Sequence, residues 1–243
     1  MRDGPYITEG AFKYPSLRDG LLYWWEPALG SMAGQLLDLG PYANHMTITN
    51  ATDSISGPNH AIASSSTAQY ANTNQALLVS GLSVLTFAFW LNWTTFANND
   101  FTWLQMSLNW PTQVNAFAIY PNTSLNSGFG FFVRDAGGVF RDITFSRPSQ
   151  GNWHHYVLTA DLSSATVLGN AFVDGIQQTL ATSSSGTPTP GTFSNQVLYL
   201  NGVGSIGTIA IYNRYLLADE VTSLYQNGSS RDAMLLPKTN LDL

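Results

Sequence analysis

Short apolar runs separated by turn residues follow one another along the chain from about residue 21. Each run is of strand length and rich in β-branched or aromatic residues, and Gly, Pro, Asn, Asp or Ser stand at its ends. The runs include LLYWW, HMTITN, LLVSGLSVLTFAFWLNW, FGFFV, HHYVLTA, NAFVD, QVLYL and GTIAIYN. Many such strands in succession predict an all-β sandwich or jelly roll.

The segment from Leu82 to Trp93 has the clearest alternation in the chain. Because successive side chains of a strand point to opposite faces, this alternation predicts two faces of one central strand. The first face carries Leu85, Phe87, Phe89 and Leu91, and the second carries Val84, Thr86, Ala88, Trp90 and Asn92.

Two further local elements are predicted near the C-terminus. Asp174-Gly175 lies between AFV and IQQTL, the arrangement that a two-residue type I′ hairpin prefers because both turn positions need positive φ. ADEVTSLYQNG, residues 218–228, predicts the one helix, with Asp219 and Glu220 in its first turn and Gly228 at its end.

The chain divides into three predicted parts. Residues 1–19 lack periodicity and form an N-terminal arm, residues 20–228 form the jelly-roll domain, and residues 229–243 form a C-terminal tail. The apolar residues of the arm and tail predict anchoring to a partner, and these are Pro5, Tyr6, Ile7, Phe12, Tyr14, Met234, Leu235 and Leu236.

Composition limits the function classes. Charged residues are only 10% of the 243, the net charge is −6, and no basic run occurs, which disfavours binding to nucleic acid or to an anionic membrane. With no cysteine, disulfides, thiolate zinc sites and cysteine nucleophiles are excluded. No segment predicts a signal peptide or a membrane span.

The adjacent histidines His154 and His155 lie in a predicted strand. Their side chains should point to opposite faces, so one metal ion cannot readily bind both. His45 and His60 are the only other histidines, and no zinc motif is present. We therefore expect the pair to have a packing role.

No catalytic pattern is evident in the sequence. A glycosidase needs two carboxylates about 5 to 10 Å apart, and no two acidic residues alternate within a predicted strand. We predict no enzymatic activity and no required cofactor. Calcium is left open because it binds carboxylates and carbonyls of loops; Asp38 and Asp53 are its candidate ligands.

Five segments in order resemble the laminin-G-like, concanavalin A-like jelly-roll family, over about residues 20 to 228. The resembling segments are LLYWWEP, DLGPYANHMTITNA, LSVLTFAFWLNW, WHHYVLTAD with AFVDG, and IYNRYLLADEVTSLY. The tandem histidine recurs in that family. IGTIA at residues 206–210 replaces the family's I-D-E-V-R, and Leu217 replaces its helix-capping serine; the first change weakens a carried-over calcium site.

The resemblance implies a concanavalin A-like antiparallel sandwich with one short C-terminal helix, but the fold does not fix the function. Our first hypothesis is a non-enzymatic virion surface protein: a phage capsid decoration, head fibre or tail-associated adhesin. Its partners would be a capsid or tail protein or copies of itself.

The alternative hypothesis is a secreted lectin module that binds a glycan through loop residues. Flat aromatic rings stack on sugars, and the candidate residues are Asn98, Asn99, Asp100, Trp103 and Trp110. Glycoside hydrolysis is a remote alternative.

Overall fold

Two antiparallel β-sheets pack face to face in the computed structural model of the chain. This architecture confirms the predicted all-β sandwich with one short helix. The structure describes residues 15–27, 31–32, 34–56, 59–64, 71–94, 104–107, 114–120, 128–165 and 169–228.

The described elements run from a 3₁₀ turn at Pro15–Arg18 to helix α1 at Ala218–Gly228. The strands between them are β1 (Leu21–Trp25), β2 (Ser31–Met32), β3 (Gln35–Leu36), β4 (Met46–Ile48), β5 (Thr52–Ser56), β6 (Asn59–Ser64), β7 (Ala71–Thr73), β8 (Val84–Trp93), β9 (Leu104–Met106), β10 (Ala116–Tyr120), β11 (Phe129–Arg134), β12 (Phe140–Phe145), β13 (His154–Asp161), β14 (Gly169–Val173), β15 (Ile176–Gln177), β16 (Ala181–Ser184), β17 (Leu198–Leu200) and β18 (Gly204–Tyr212).

The first sheet has eight strands, and its main order is β15-β14-β13-β8-β18-β6-β5. Strand β18 is shared along its length: its first residues, 204–206, pair with β6, and residues 209–212 pair with β1. A bulge between Ile206 and Ile209 separates the two halves. Strand β8 pairs with β13 on one side and β18 on the other, which confirms its predicted central position.

The second sheet has ten strands in the order β16-β12-β11-β10-β9-β17-β7-β4-β3-β2. Several of its members are only two or three residues long. In such short strands one or two residues face the core and one faces outward, so the outer surface of this sheet is set by few positions.

The main core lies between the sheets. The face of β8 that carries Phe87 and Phe89 belongs to it, as the alternation predicts. Phe87 stacks on Phe117 of the opposite sheet, with ring centroids 4.1 Å apart. A geometry of this kind adds about 0.5–1.5 kcal/mol to the area term.

A second apolar cluster covers the outer face of the eight-stranded sheet. Helix α1 contributes Val221 and Leu224, and the other face of β8 contributes Ala88. The helix has the predicted bounds. Leu217 occupies the N-cap position, since its carbonyl accepts the first helical bond from Val221 N–H at 2.9 Å.

The histidine pair is divided between two faces, as predicted. His155 is 3% exposed and lies on the outer face, with its ring 5.2 Å from Trp90 and 6.3 Å from Tyr225 of α1. His154 instead contacts the Asp174 carboxylate at 2.7 Å. Asp174 has φ 52° and Gly175 has φ 80°, which confirms the predicted type I′ turn. His155 therefore packs against helix α1, and His154 stabilises the hairpin turn at Asp174.

Arg141 connects the end of β12 to the neighbouring loops. Its buried guanidinium donates hydrogen bonds to the carbonyls of Asp161, Ser164 and Thr189 and lies 3.8 Å from Asp135. Burial lowers the pKa of Arg141, and Asp135 opposes that change. The guanidinium thus acts as a clamp across the end of the sandwich.

Candidate functional site

The outer face of the ten-stranded sheet is the broad surface that the described helices leave uncovered. Both α1 and the 3₁₀ turn pack on the other sheet through the second apolar cluster. Four neighbouring three-residue strands of the ten-stranded sheet place core-facing residues at their two ends and one residue outward. The outward residues are Thr47, Asn72, Gln105 and Tyr199.

The pairing register aligns these outward residues into one line across the strands. Tyr199 pairs with Asn72 on one side and Gln105 on the other, Asn72 pairs with Thr47, and Thr47 pairs with Gln35. We call Gln35, Thr47, Asn72, Tyr199 and Gln105 the polar row. With strands about 4.8 Å apart, it spans about 19 Å, and none of its members is charged.

Tyr199 is the only aromatic residue of the polar row and lies between its two amides. Its half-buried side chain makes no hydrogen bond or ring contact with any residue that the structure describes. Burial raises the pKa of Tyr199, so the phenol stays protonated and able to donate a hydrogen bond. The ring offers an apolar face, and the amides of Asn72 and Gln105 offer donors and acceptors.

The line of outward-facing residues continues beyond Gln105, but its further members are buried. It passes through Ala118 and Phe132 to Asp142, each paired with the next. Asp142 is 1% exposed, and neither of its oxygens has a hydrogen-bond partner of good geometry. Burial raises the pKa of Asp142 to about 6, and the Ser183 hydroxyl opposes this rise.

Asp142 is the one carboxylate on the described strands of this sheet. The glycosidase arrangement of two facing carboxylates is therefore not formed by these strands. The neighbours of Asp142 are aromatic: Phe132 lies 4.4 Å from Tyr120 and 4.7 Å from Phe140, between ring centroids.

The loop residues proposed from the sequence for sugar binding are not among those that the structure describes. Asn98, Asn99, Asp100, Trp103 and Trp110 all lie outside the described ranges. The same holds for the anchoring residues of the arm and tail, which are Pro5, Tyr6, Ile7, Phe12, Tyr14, Met234, Leu235 and Leu236. Their roles, and the domain boundaries at residues 19 and 228, stay predictions.

The calcium candidate Asp38 has a set of backbone partners. One of its oxygens accepts hydrogen bonds from the N–H groups of Trp24 and Gly40, at 2.9 and 2.8 Å, and the other accepts one from Asn44 at 2.8 Å. These bonds are typical of a carboxylate that organises a turn. Asp53 lies in β5 opposite Ile62. Within the described ranges no three His, Asp or Glu side chains form a group that could hold a metal ion.

The polar row is only partly visible in the sequence and was not predicted from it. In LYL, ANT and LQM a polar or aromatic residue stands between two that face the core, and this local pattern gives its outward direction. The pattern does not reveal that Tyr199 lies beside Asn72, which is more than a hundred residues earlier.

Comparison with known families gives a match over most of this domain. Residues 65–222, more than half of the chain, match the sequence model described as the concanavalin A-like lectin/glucanases superfamily. Searching curated protein sequences gave no significant match. In the described part of the chain, no helix is long and apolar enough to span a membrane.

Solved structures with a similar fold come from toxins and sialidases. The binding domain of botulinum neurotoxin DC in complex with SialylT has a TM-score of 0.62 at 11% identity, over 88% of this chain and 52% of that one. A botulinum neurotoxin type C structure, described as dependent on two ganglioside molecules for cell entry, has a TM-score of 0.59 at 11% identity, over 87% and 52%.

Trypanosoma rangeli sialidase in complex with sialic acid has a TM-score of 0.53 at 13% identity, over 88% of this chain and 34% of the sialidase. The chain thus spans about a third of the sialidase and about half of the toxin chains. At these identities the likeness shows a shared fold.

Proposed function

The chain belongs to the concanavalin A-like lectin/glucanases superfamily, and from this we propose that it is a non-enzymatic recognition domain that binds a neutral glycan along the polar row. The observation that carries the proposal is Tyr199, a half-buried ring between two amides that makes no hydrogen bond or ring contact with any described residue. Sugar sites typically combine a flat aromatic surface with a few well-placed hydrogen-bonding groups.

The polar row supports a neutral ligand because it has no charged side chain. An anionic sugar would need a basic residue, and a cationic one would need a carboxylate. The row crosses five strands, so its length of about 19 Å suits an oligosaccharide better than one sugar ring. Structurally similar proteins in complex with sialic acid or described with gangliosides support a glycan as the ligand class.

Absence of enzymatic activity is part of the proposal. Hydrolysis requires an acid and a second carboxylate close to the scissile bond. The single carboxylate on the described strands of this sheet, Asp142, is buried beside aromatic rings. Turnover of an oligosaccharide that disappears in Asp142→Asn would refute this part.

The particle-surface role predicted from the sequence remains the biological setting that we propose. A glycan-binding domain on a virion surface would act as an adhesin, with the arm and tail attaching it to a capsid or tail protein. Sedimentation of native material through a density gradient tests this: co-sedimentation with particles after a salt wash supports it, and a soluble pool favours the secreted lectin.

The binding proposal is tested on a panel of neutral oligosaccharides with the full chain and two variants of Tyr199. We expect Tyr199→Ala to weaken binding at least about tenfold, because the ring is lost, which corresponds to about 1.4 kcal/mol. Tyr199→Phe keeps the ring and should lose only a few-fold, as for one hydrogen bond.

Tyr42→Ala is the matched control. Tyr42 is 46% exposed, packs on the core residue Tyr23 and is not a member of the polar row, so its replacement should leave the affinity unchanged. Equal affinity of wild type and Tyr199→Ala, with both folded by circular dichroism, would refute the site.

A further inference from the structure

Three side chains at one end of the sandwich are joined by hydrogen bonds in the order serine, histidine, aspartate. Ser149 lies in the loop before β13, His154 is the first residue of β13, and Asp174 lies in the turn between β14 and β15. The Ser149 Oγ atom is 3.0 Å from His154 Nε2, and His154 Nδ1 is 2.7 Å from Asp174 Oδ2. Activated serines have this arrangement of a nucleophile, a base and a group that orients the base.

The other contacts of these residues define the direction of each hydrogen bond. A carboxylate only accepts, so the Nδ1 proton of His154 belongs to the bond with Asp174, and Nε2 is left as an acceptor. The second oxygen of Asp174 accepts the backbone N–H of His155 at 2.9 Å. Asn152 Nδ2 donates to Ser149 Oγ at 3.0 Å. The hydroxyl proton of Ser149 is therefore directed at His154 Nε2.

Hydrogen bonds to the end of β8 hold the serine loop in place. The Gln150 amide donates to the carbonyl of Thr94, and Gly151 N–H donates to that of Trp93 at 2.9 Å. Gly151 has φ 79°, a left-handed conformation that glycine adopts without strain. Because the loop is attached to the sheet directly after Ser149, the hydroxyl needs little reorganisation to react.

The serine is open to solvent, whereas its two partners are partly shielded. Ser149 is exposed, and the side chains of His154 and Asp174 are 16% and 28% exposed. An incoming carbonyl group can therefore reach Oγ directly. The Asn152 amide has a second N–H, which can donate to the negative charge that develops on the carbonyl oxygen during attack.

We propose that Ser149 accepts an acyl group from an ester, such as an acetyl group on a sugar hydroxyl. Ser149 Oγ attacks the carbonyl carbon while its proton passes to His154 Nε2. The bond from that carbon to the leaving oxygen then breaks, and the leaving alcohol takes the proton from His154. The products are acylated Ser149 and the free alcohol. One transfer per chain is a covalent modification without turnover, which goes beyond the proposed function and is compatible with it.

The test is acetylation of the full chain by p-nitrophenyl acetate, followed by peptide mapping with mass spectrometry. Ser146 is the internal reference, because it is an exposed serine of the same loop. We expect Ser149 to react at least about tenfold faster than Ser146, since general-base assistance of this kind typically gives a hundredfold or more. His154→Gln removes the base and should lower the rate at Ser149 to that at Ser146.

Asp174→Asn tests the orienting role of the carboxylate. The amide can donate to Nδ1 of His154, which moves the ring proton to Nε2, so Nε2 no longer accepts from Ser149. Asn keeps an oxygen for the His155 N–H and tolerates positive φ. We expect acetylation of Ser149 to slow by at least about tenfold at an unchanged melting temperature, with the ring proton found on Nε2 by ¹⁵N NMR.

Equal rates at Ser149 and Ser146 in the wild-type chain would overturn the inference without the need for a variant. A rate at Ser149 that His154→Gln leaves unchanged would overturn it as well. Ser149→Ala should bind oligosaccharides as wild type does, so the polar row is judged separately. Release of more than one p-nitrophenol per chain, lost in Ser149→Ala, would support the reactive serine and would refute the absence of enzymatic activity.

Discussion

Two buried titratable groups on opposite sheets should give the protein an unusual dependence of stability on pH. Burial raises the pKa of Asp142 from 3.8 to about 6. Burial lowers the pKa of His155 from 6.5 to about 4, opposed in part by Asp174. Each change corresponds to at most about 3 kcal/mol of folding free energy.

The two contributions have opposite signs in the same pH range. Folded Asp142 holds its proton more tightly than the unfolded chain, so its contribution to stability falls as pH rises from about 4 to 6. Folded His155 resists protonation, so its contribution rises with pH from about 4 to 6.5. In wild type the contributions of Asp142 and His155 should nearly cancel. The remaining dependence of stability on pH then comes from the other carboxyl groups.

Asp142→Asn and His155→Phe separate the two trends. Relative to wild type, the free energy of unfolding of Asp142→Asn should be higher by up to about 3 kcal/mol at pH 7 and unchanged at pH 3.5. His155→Phe should gain by a similar amount at pH 3.5 and little at pH 7. Because the sites lie on different sheets, the double variant should show the sum of the two effects.

Urea unfolding followed by far-ultraviolet circular dichroism, at several pH values between 3.5 and 7, measures these differences. The difference between each variant and wild type is the relevant quantity, since it removes the common background. If the free energy of unfolding of Asp142→Asn differs from that of wild type by the same amount at every pH between 3.5 and 7, burial does not raise the pKa of Asp142. That result would refute the reasoning.

The remaining predictions concern stability and are read from thermal and urea unfolding. Leu217→Ser should stabilise the fold by up to about 1 kcal/mol. The Ser hydroxyl can share the Glu220 N–H, which already donates to Asp219 Oδ1 at 3.0 Å, and the Glu220 carboxylate already accepts the N–H of residue 217. An unchanged midpoint would contradict this capping geometry. Arg141→Met should destabilise by about 3–5 kcal/mol, since it leaves Asp135 buried without its ion pair; a loss below 1 kcal/mol would argue against the clamp. Gly175→Ala should cost about 1 kcal/mol because Gly175 has φ 80°; no loss would contradict the type I′ turn.

Local features of the fold were predictable because their causes are local. Alternation along β8, the Asp174-Gly175 turn and helix α1 each depend on residues within one short segment, and the structure has all three as predicted. The opposite faces of the histidine pair follow from strand geometry alone.

The candidate site depends on strand order and register, which no short segment determines. Gln35 and Tyr199 belong to one row only because β3, β4, β7 and β17 are neighbours in that order. Asp142 stands in an ordinary strand sequence, FRDITF, and its raised pKa arises from burial that the tertiary structure provides. Alternation could have indicated that these side chains point away from the core, but not which residues lie beside them.

The most direct test of the glycan-binding face is NMR chemical-shift mapping with a neutral oligosaccharide selected from the panel. We expect the largest changes at Tyr199, Asn72, Gln105 and Thr47, and we expect Tyr199→Ala to abolish them. Changes confined to loops or to the eight-stranded sheet, with the signals of the polar row unmoved, would contradict this expectation.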